Sequence, residues 1–84
     1  MDIFSFGVAV YELLINQKPF LGETSIDILW AQTDRANFLT PRQLNADIPV
    51  GLEKAILKCI EREPEARYPF LSVLVRDLKA ALYV

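Results

Sequence analysis

From Ile3 to Ile15 the chain is apolar at every position except Ser5 and Glu12, with Gly7 the one residue outside both sets. A helix with no wet face needs cover on every side. Asp2, just ahead of the run, supplies an N-cap carboxylate for the free N–H groups of the first turn. The helix is expected to run to about Asn16, with Lys18-Pro19-Phe20 ending it, because the residue before a proline is driven out of the helical region. The valines at 8 and 10 do not alternate with polar residues, which disfavours a half-exposed strand.

Three further helical segments follow. Gly22-Glu23-Thr24-Ser25 reads as a turn ending in a capping side chain, after which Ile26, Leu29, Trp30 and Thr33 recur at helical spacing. Asp34 to Pro49 is polar and interrupted by prolines, a connecting stretch of about 16 residues. Leu52, Ala55, Ile56, Cys59 and Ile60 then form one apolar stripe, with Glu53, Lys54, Lys58, Glu61 and Arg62 on the wet side and Glu63-Pro64 closing the helix. Beyond the turn Glu65-Ala66-Arg67-Tyr68-Pro69, a last helix carries Leu71, Leu74, Val75, Leu78 and Leu82 at the same spacing, with Arg76, Asp77 and Lys79 outward. The pattern predicts an all-α fold of four helices and no sheet.

Length sharpens the problem of the first helix. A chain of 84 residues buries only about 60 to 65% of the surface its unfolded form exposes, yet 52% of these residues are hydrophobic. That hydrophobic content is rich for the size, and charged residues at 24% argue against disorder. The opening run is about 13 residues, short of the ~20 a membrane span needs, and no basic residue precedes it as in a signal peptide. A cytoplasmic chain without membrane partners is expected.

Charge and cysteine content remove several functions. Nine basic and 11 acidic residues are interspersed, for a net charge of -2, so nothing offers a footprint for nucleic acid or anionic lipid. The single cysteine, Cys59, forms no internal disulfide, suits a reducing compartment and reads as a small packing side chain. The absence of histidine excludes His-dependent triads and zinc sites.

Two clusters carry a resemblance. Asp2-x-Phe4-Ser5-x-Gly7, followed by Val8-x-Val10-Tyr11-Glu12-Leu13-Leu14 and Lys18-Pro19-Phe20, resembles the central helix of the protein kinase large lobe. Leu52-x-x-x-Ile56-x-x-Cys59-Ile60-x-x-x-Pro64-x-x-Arg67-Tyr68 resembles the turn between the last two helices of that lobe. Their order and spacing fit, so residues 1–84 resemble a partial kinase domain, the rear of the large lobe. Glu63-Pro64-Glu65-Ala66-Arg67-Tyr68 is more similar to serine/threonine kinases, bacterial ones included, than to tyrosine kinases.

The resemblance implies roles. Asp2 corresponds to the aspartate that accepts hydrogen bonds from the catalytic-loop backbone, while Phe4 and Gly7 pack that helix beneath the active site. Arg67 corresponds to the arginine paired with the glutamate of an Ala-Pro-Glu motif. Glu12 corresponds to a residue that, in some basophilic members, meets an arginine of the peptide substrate. Ile26 and Trp30 lie on a helix used by kinases for docking partners.

Each has a plainer reading: Asp2 as an N-cap, Glu12 as a solvent-facing residue, Ile26 and Trp30 as ordinary core. For Arg67, whose family partner is absent here, local pairing with Glu63 or Glu65 is expected, since an unpaired buried charge costs about 3 to 5 kcal/mol.

Kinase chemistry needs a Gly-rich loop, a strand lysine, a catalytic-loop Asp and Asn, and an Asp-Phe-Gly magnesium ligand. None of these motifs occurs, and His-Arg-Asp cannot exist without histidine. ATP and magnesium therefore belong to the intact family, and this chain alone is expected to hold no cofactor or metal, to have no catalytic residue and to transfer no phosphate. Met1 directly before Asp2 points to a truncated product, a misplaced start or an excised segment. The expected partner is protein: a substrate, the remainder of a kinase domain, or a second copy through the first helix. The rival reading is a free-standing helical interaction module.

Overall fold

The computed structural model describes residues 2–22, 24–35 and 38–83. Met1 and Glu23, on which two expectations fall, lie outside them. Helix α1 (Ile3–Ile15) starts where the Asp2 carboxylate accepts the Phe4 N–H at 3.1 Å. It stops where Asn16 turns left-handed, with φ of 61°, and its N–H bonds the Glu12 carbonyl. Asparagine tolerates that conformation at modest cost, so the helix ends on its own C-cap ahead of Lys18-Pro19. The end at Asn16 is the expected one, but a cap rather than the proline makes it.

Helix α2 (Ser25–Thr33) begins on the Thr24 hydroxyl, which accepts the Asp27 N–H at 3.2 Å. The stretch from Asp34 to Pro49 is not structureless: it contains a four-residue helix, α3 (Pro41–Leu44). Pro41 presets the first helical position. The Thr40 hydroxyl accepts the Gln43 N–H, and the Gln43 side chain accepts the Thr40 N–H at 2.7 Å. Arg42 ties α3 to the chain around Ile48 and Glu53, its N–H donating to Glu53 Oε2 at 2.8 Å and its Nε to the Ile48 carbonyl at 2.9 Å.

Helix α4 (Val50–Cys59) is followed by a 3₁₀ turn (Pro64–Ala66) and by α5 (Leu71–Tyr83). The fold is all-α, with five α-helices and no strand among the described residues. All five stripe residues, Leu52, Ala55, Ile56, Cys59 and Ile60, are buried, and α4 packs against both α1 and α5. On α5 only Leu74 of the expected stripe is buried and Leu78 is half-buried; Leu71, Val75 and Leu82 are exposed. The helix is rotated toward Val73, Asp77 and Ala81, which are half-buried instead.

Gly7 fixes how α1 meets α4. A Cβ there would lie 2.6 Å from Cys59 Cβ and 2.8 Å from Ile60 Cγ2, so the two helices approach as only glycine allows. Four residues further along, Tyr11 is buried and its hydroxyl donates to the Leu39 carbonyl at 2.7 Å. Tyr11→Phe is expected to lower stability by about 1 kcal/mol in urea denaturation, the net value of one hydrogen bond.

Only Gly7 and Tyr11 of α1 are buried. Ser5, Ala9, Leu13 and Leu14 face outward, Leu13 with 83% of its surface exposed. The apolar cylinder is covered along one side and bare along the other.

Candidate functional site

At the head of α1 the Asp2 carboxylate is exposed and accepts two local donors, the Phe4 N–H and the Ser5 hydroxyl at 3.0 Å. The Ser5 hydroxyl, then the Phe4 N–H, hold this carboxyl below the usual carboxylate range, with the charge of Arg67 adding a smaller contribution. The N-cap role is therefore present. A carboxylate has about four lone-pair sites, which leaves capacity for further N–H donors.

Arg67 reaches the same end of α1. Its guanidinium lies over the Phe4 ring, 4.7 Å from the centroid. Its Nε donates to the Glu61 carbonyl at 2.7 Å and its Nη2 to the Arg62 carbonyl at 3.4 Å. The expected pairing with Glu63 or Glu65 is not what forms: Glu63 pairs with Arg62 at 3.5 Å, and Glu65 is exposed. The Glu61 and Arg62 carbonyls, in the turn beyond α4, take the guanidinium edge. The ring takes its face. Asp2, Phe4 and Arg67 are thus brought together.

Phe4 is the first rung of an aromatic ladder. Its ring stacks on Phe20, with centroids 6.0 Å apart and planes 5° from parallel. Phe20 stacks on Phe38 at 5.6 Å, and Phe38 tilts against Tyr11 at 6.0 Å. The Arg35 guanidinium lies 5.0 Å from the Phe20 centroid. Phe20, Phe38 and Arg35 carried no sequence signal for this role, because they meet only through the turns after α1 and α2.

Glu12 is half-buried about 15 Å along α1 from Asp2, taking 1.5 Å per residue, and does not join that cluster. It lines a groove between α1 and α2 with Val8, Lys18, Phe20 and Ile28. Ile26 and Trp30 are each 67% exposed, with Leu29 beside them at 61%. The ordinary-core reading of these residues is overturned, since α2 turns Ile28 and Ala31 inward.

Asp77, expected to face outward, is half-buried and accepts the Tyr68 hydroxyl at 2.9 Å. Burial, then this bond and the Asp77 charge, push the Tyr68 phenol well above its usual range. Cys59 is fully buried, and burial pushes its thiol up to about 11, which suits packing and not reactivity.

Among the described residues no glycine is placed to cradle the phosphates of a nucleotide. Gly7 is wedged against α4, Gly22 against the first turn of α2, and Gly51 against Ala81 inside α4, so none belongs to a phosphate-cradling loop. Among the described residues no cluster of three acidic or cysteine side chains could hold a metal ion, and no helix is long and apolar enough to cross a membrane.

No family model matches the chain. It is 38% identical over 77 residues, 92% of its length, to a probable serine/threonine-protein kinase of Clostridium acetobutylicum. This chain is a stretch of a protein kinase domain. The kinase similarity extends to the tyrosine-protein kinase MasK of Myxococcus xanthus, 40% identical over 81 residues, and to the serine/threonine-protein kinase PrkC of Bacillus subtilis, 32% over 84. The matches cover 92%, 96% and 95% of this kinase segment but only 12% of each relative.

Proposed function

We propose that residues 1–84 form one partial domain, the helical foundation of a kinase large lobe. In a longer polypeptide it would support ATP- and magnesium-dependent phosphoryl transfer to serine or threonine hydroxyls of cytoplasmic proteins. The observation that carries this reading is the junction at the head of α1. There an exposed, ionised Asp2 with unused acceptor capacity stands beside Arg67, held on Phe4.

In that setting Asp2 accepts N–H groups of the catalytic loop, and Phe4 and Gly7 seat the helix below it. Arg67 offers its remaining nitrogen, Nη1, to the glutamate that closes the activation segment. Glu12 faces a substrate arginine from its groove, and Ile26 and Trp30 supply a docking face. Catalysis of this type is positioning plus electrostatics supplied by other groups, so the chain by itself is inactive.

Two measurements test this. The 84-residue chain incubated with ATP, magnesium and a general protein substrate should transfer no label above a blank. In a kinase polypeptide that carries the chain, Asp2→Ser keeps an N-cap but loses the anionic acceptor. It should lower kcat at least roughly tenfold at unchanged thermal stability. Unchanged kcat would remove the anchoring role.

The bare side of α1, with Leu13 and Leu14 exposed, also favours a second reading, a module that self-associates or joins a split kinase. Concentration-dependent dimers in sedimentation, abolished by Leu13→Glu, would support that reading instead.

A further inference from the structure

We propose that α2 is a separately opening arm, latched at its C-terminal end by Arg35 seated on Phe20 and Phe38. No residue of α2 is buried. Ile28, Ala31 and Gln32 are half-buried, while Ile26, Leu29 and Trp30 face away from the chain. Grooves run along both sides of the arm: one of about 320 Å³ reaches Ile28 and Gln32 from α1, the other, about 300 Å³, reaches Ala31 from Pro19 and Phe38. An element that buries so little apolar surface is held mainly by its ends.

At the first end Gly22 lies against the opening turn of α2, where an added Cβ would come 2.5 Å from Asp27 Cβ. At the other end two guanidiniums take the last carbonyls, the negative pole of the helix. Arg35 Nε donates to Gln32 at 2.9 Å and Arg62 Nη1 to Thr33 at 3.1 Å. Arg35 also lays its plane 5.0 Å from the Phe20 centroid and 6.0 Å from that of Phe38.

Arg35 is the weak member as well as the latch. Its Nη2 is buried with no hydrogen-bond partner among the described residues, so closing the arm desolvates a charged group without full compensation. Opening returns that nitrogen to water at the loss of the stacking and of the Arg62 bond to Thr33, which ties α2 to the rest of the chain. Closed, Ile28 and Gln32 form one wall of the groove that Glu12 lines from α1; open, that wall is gone and the Phe20 and Phe38 rings are uncovered.

Amide hydrogen exchange of the 84-residue chain tests the arm. The α2 amides from Ile28 to Thr33 should exchange at least roughly tenfold faster than those of Ala55 to Cys59 in α4. Their rates should stay flat as urea rises below the unfolding transition, while the α4 rates climb. Arg35→Lys keeps the charge but loses the planar stack and the Nε bond; it should speed α2 exchange roughly tenfold more and leave α4 unchanged. Similar rates in α2 and α4, whether both slow or both fast, overturn the proposal. So does a parallel urea dependence, or an Arg35→Lys effect that is absent or equal in both helices.

Discussion

Phe20→Ala is expected to cost about 3–5 kcal/mol, the usual range for a buried phenylalanine cut to alanine. At ~0.05–0.15 kcal/mol per residue the whole chain has only about 4–13 kcal/mol to lose. Phe20 is 5% exposed and is an inner rung of the ladder, stacked on both Phe4 and Phe38. Its removal also takes away the ring on which Arg35 lies. Phe20→Leu keeps most of the apolar volume and loses the stacking, so it should cost less than half as much. Urea titration followed by circular dichroism measures both. A loss below 1 kcal/mol for the alanine variant would mean the ladder is not part of the folded core.

Gly7→Val is expected to lower stability by about 3 kcal/mol, with Gly7→Ala smaller and of the same sign. Two effects oppose each other. Replacing a mid-helix glycine by alanine ordinarily gains about 0.5–1 kcal/mol through chain entropy. Against that, the new Cβ would stand 2.6 Å from Cys59 Cβ and 2.8 Å from Ile60 Cγ2, far inside the ~3.5–4.0 Å of carbon contact. Cys59 Cβ is fixed to the backbone and Ile60 is stiff at its branch, so α4 itself must retreat. Overpacking of this kind costs about 1–3 kcal/mol or somewhat more, and steric crowding wins. A rise in urea midpoint for Gly7→Ala would show that α1 does not seat on α4 here.

The helices differ in how far their sequence announced them. Helix α4 has one apolar stripe and one charged face, so a single orientation buries the stripe, and it is buried. Helix α2 offers apolar residues on both sides. Its periodicity selected Ile26, Leu29 and Trp30, while packing against Phe20 and Phe38 admitted the partner face of Ile28 and Ala31. Helix α5 carried leucines on more than one face, and the face that turns inward includes Asp77, which accepts the Tyr68 hydroxyl. The capping pattern Thr40-Pro41-Arg42-Gln43 was present in the sequence and marks α3, but it sat inside a stretch read as loop for its polarity.

Of the candidate site, Asp2 was legible because an N-cap is a local signal, read from the residues beside it. Arg67 was legible as a residue but not in its partners. Glu63 and Glu65 are near acidic neighbours along the chain, yet the carbonyls of Glu61 and Arg62 and the ring of Phe4 took the charge. The ladder of Phe4, Phe20, Phe38 and Tyr11 had no periodicity to find, since its rungs come from separate segments.

What the sequence alone determined is the helical class, the helix start at Asp2, a capped turn ahead of α2, the buried stripe of α4 and the kinase resemblance, all carried by contacts within a few residues or by motif spacing. The tertiary structure decided which side of α1 is covered, which faces of α2 and α5 turn inward, and where Arg67 places its charge. A uniformly apolar helix contains no information about its own orientation. That orientation was set by the one position, Gly7, where α4 could approach closely enough to pack.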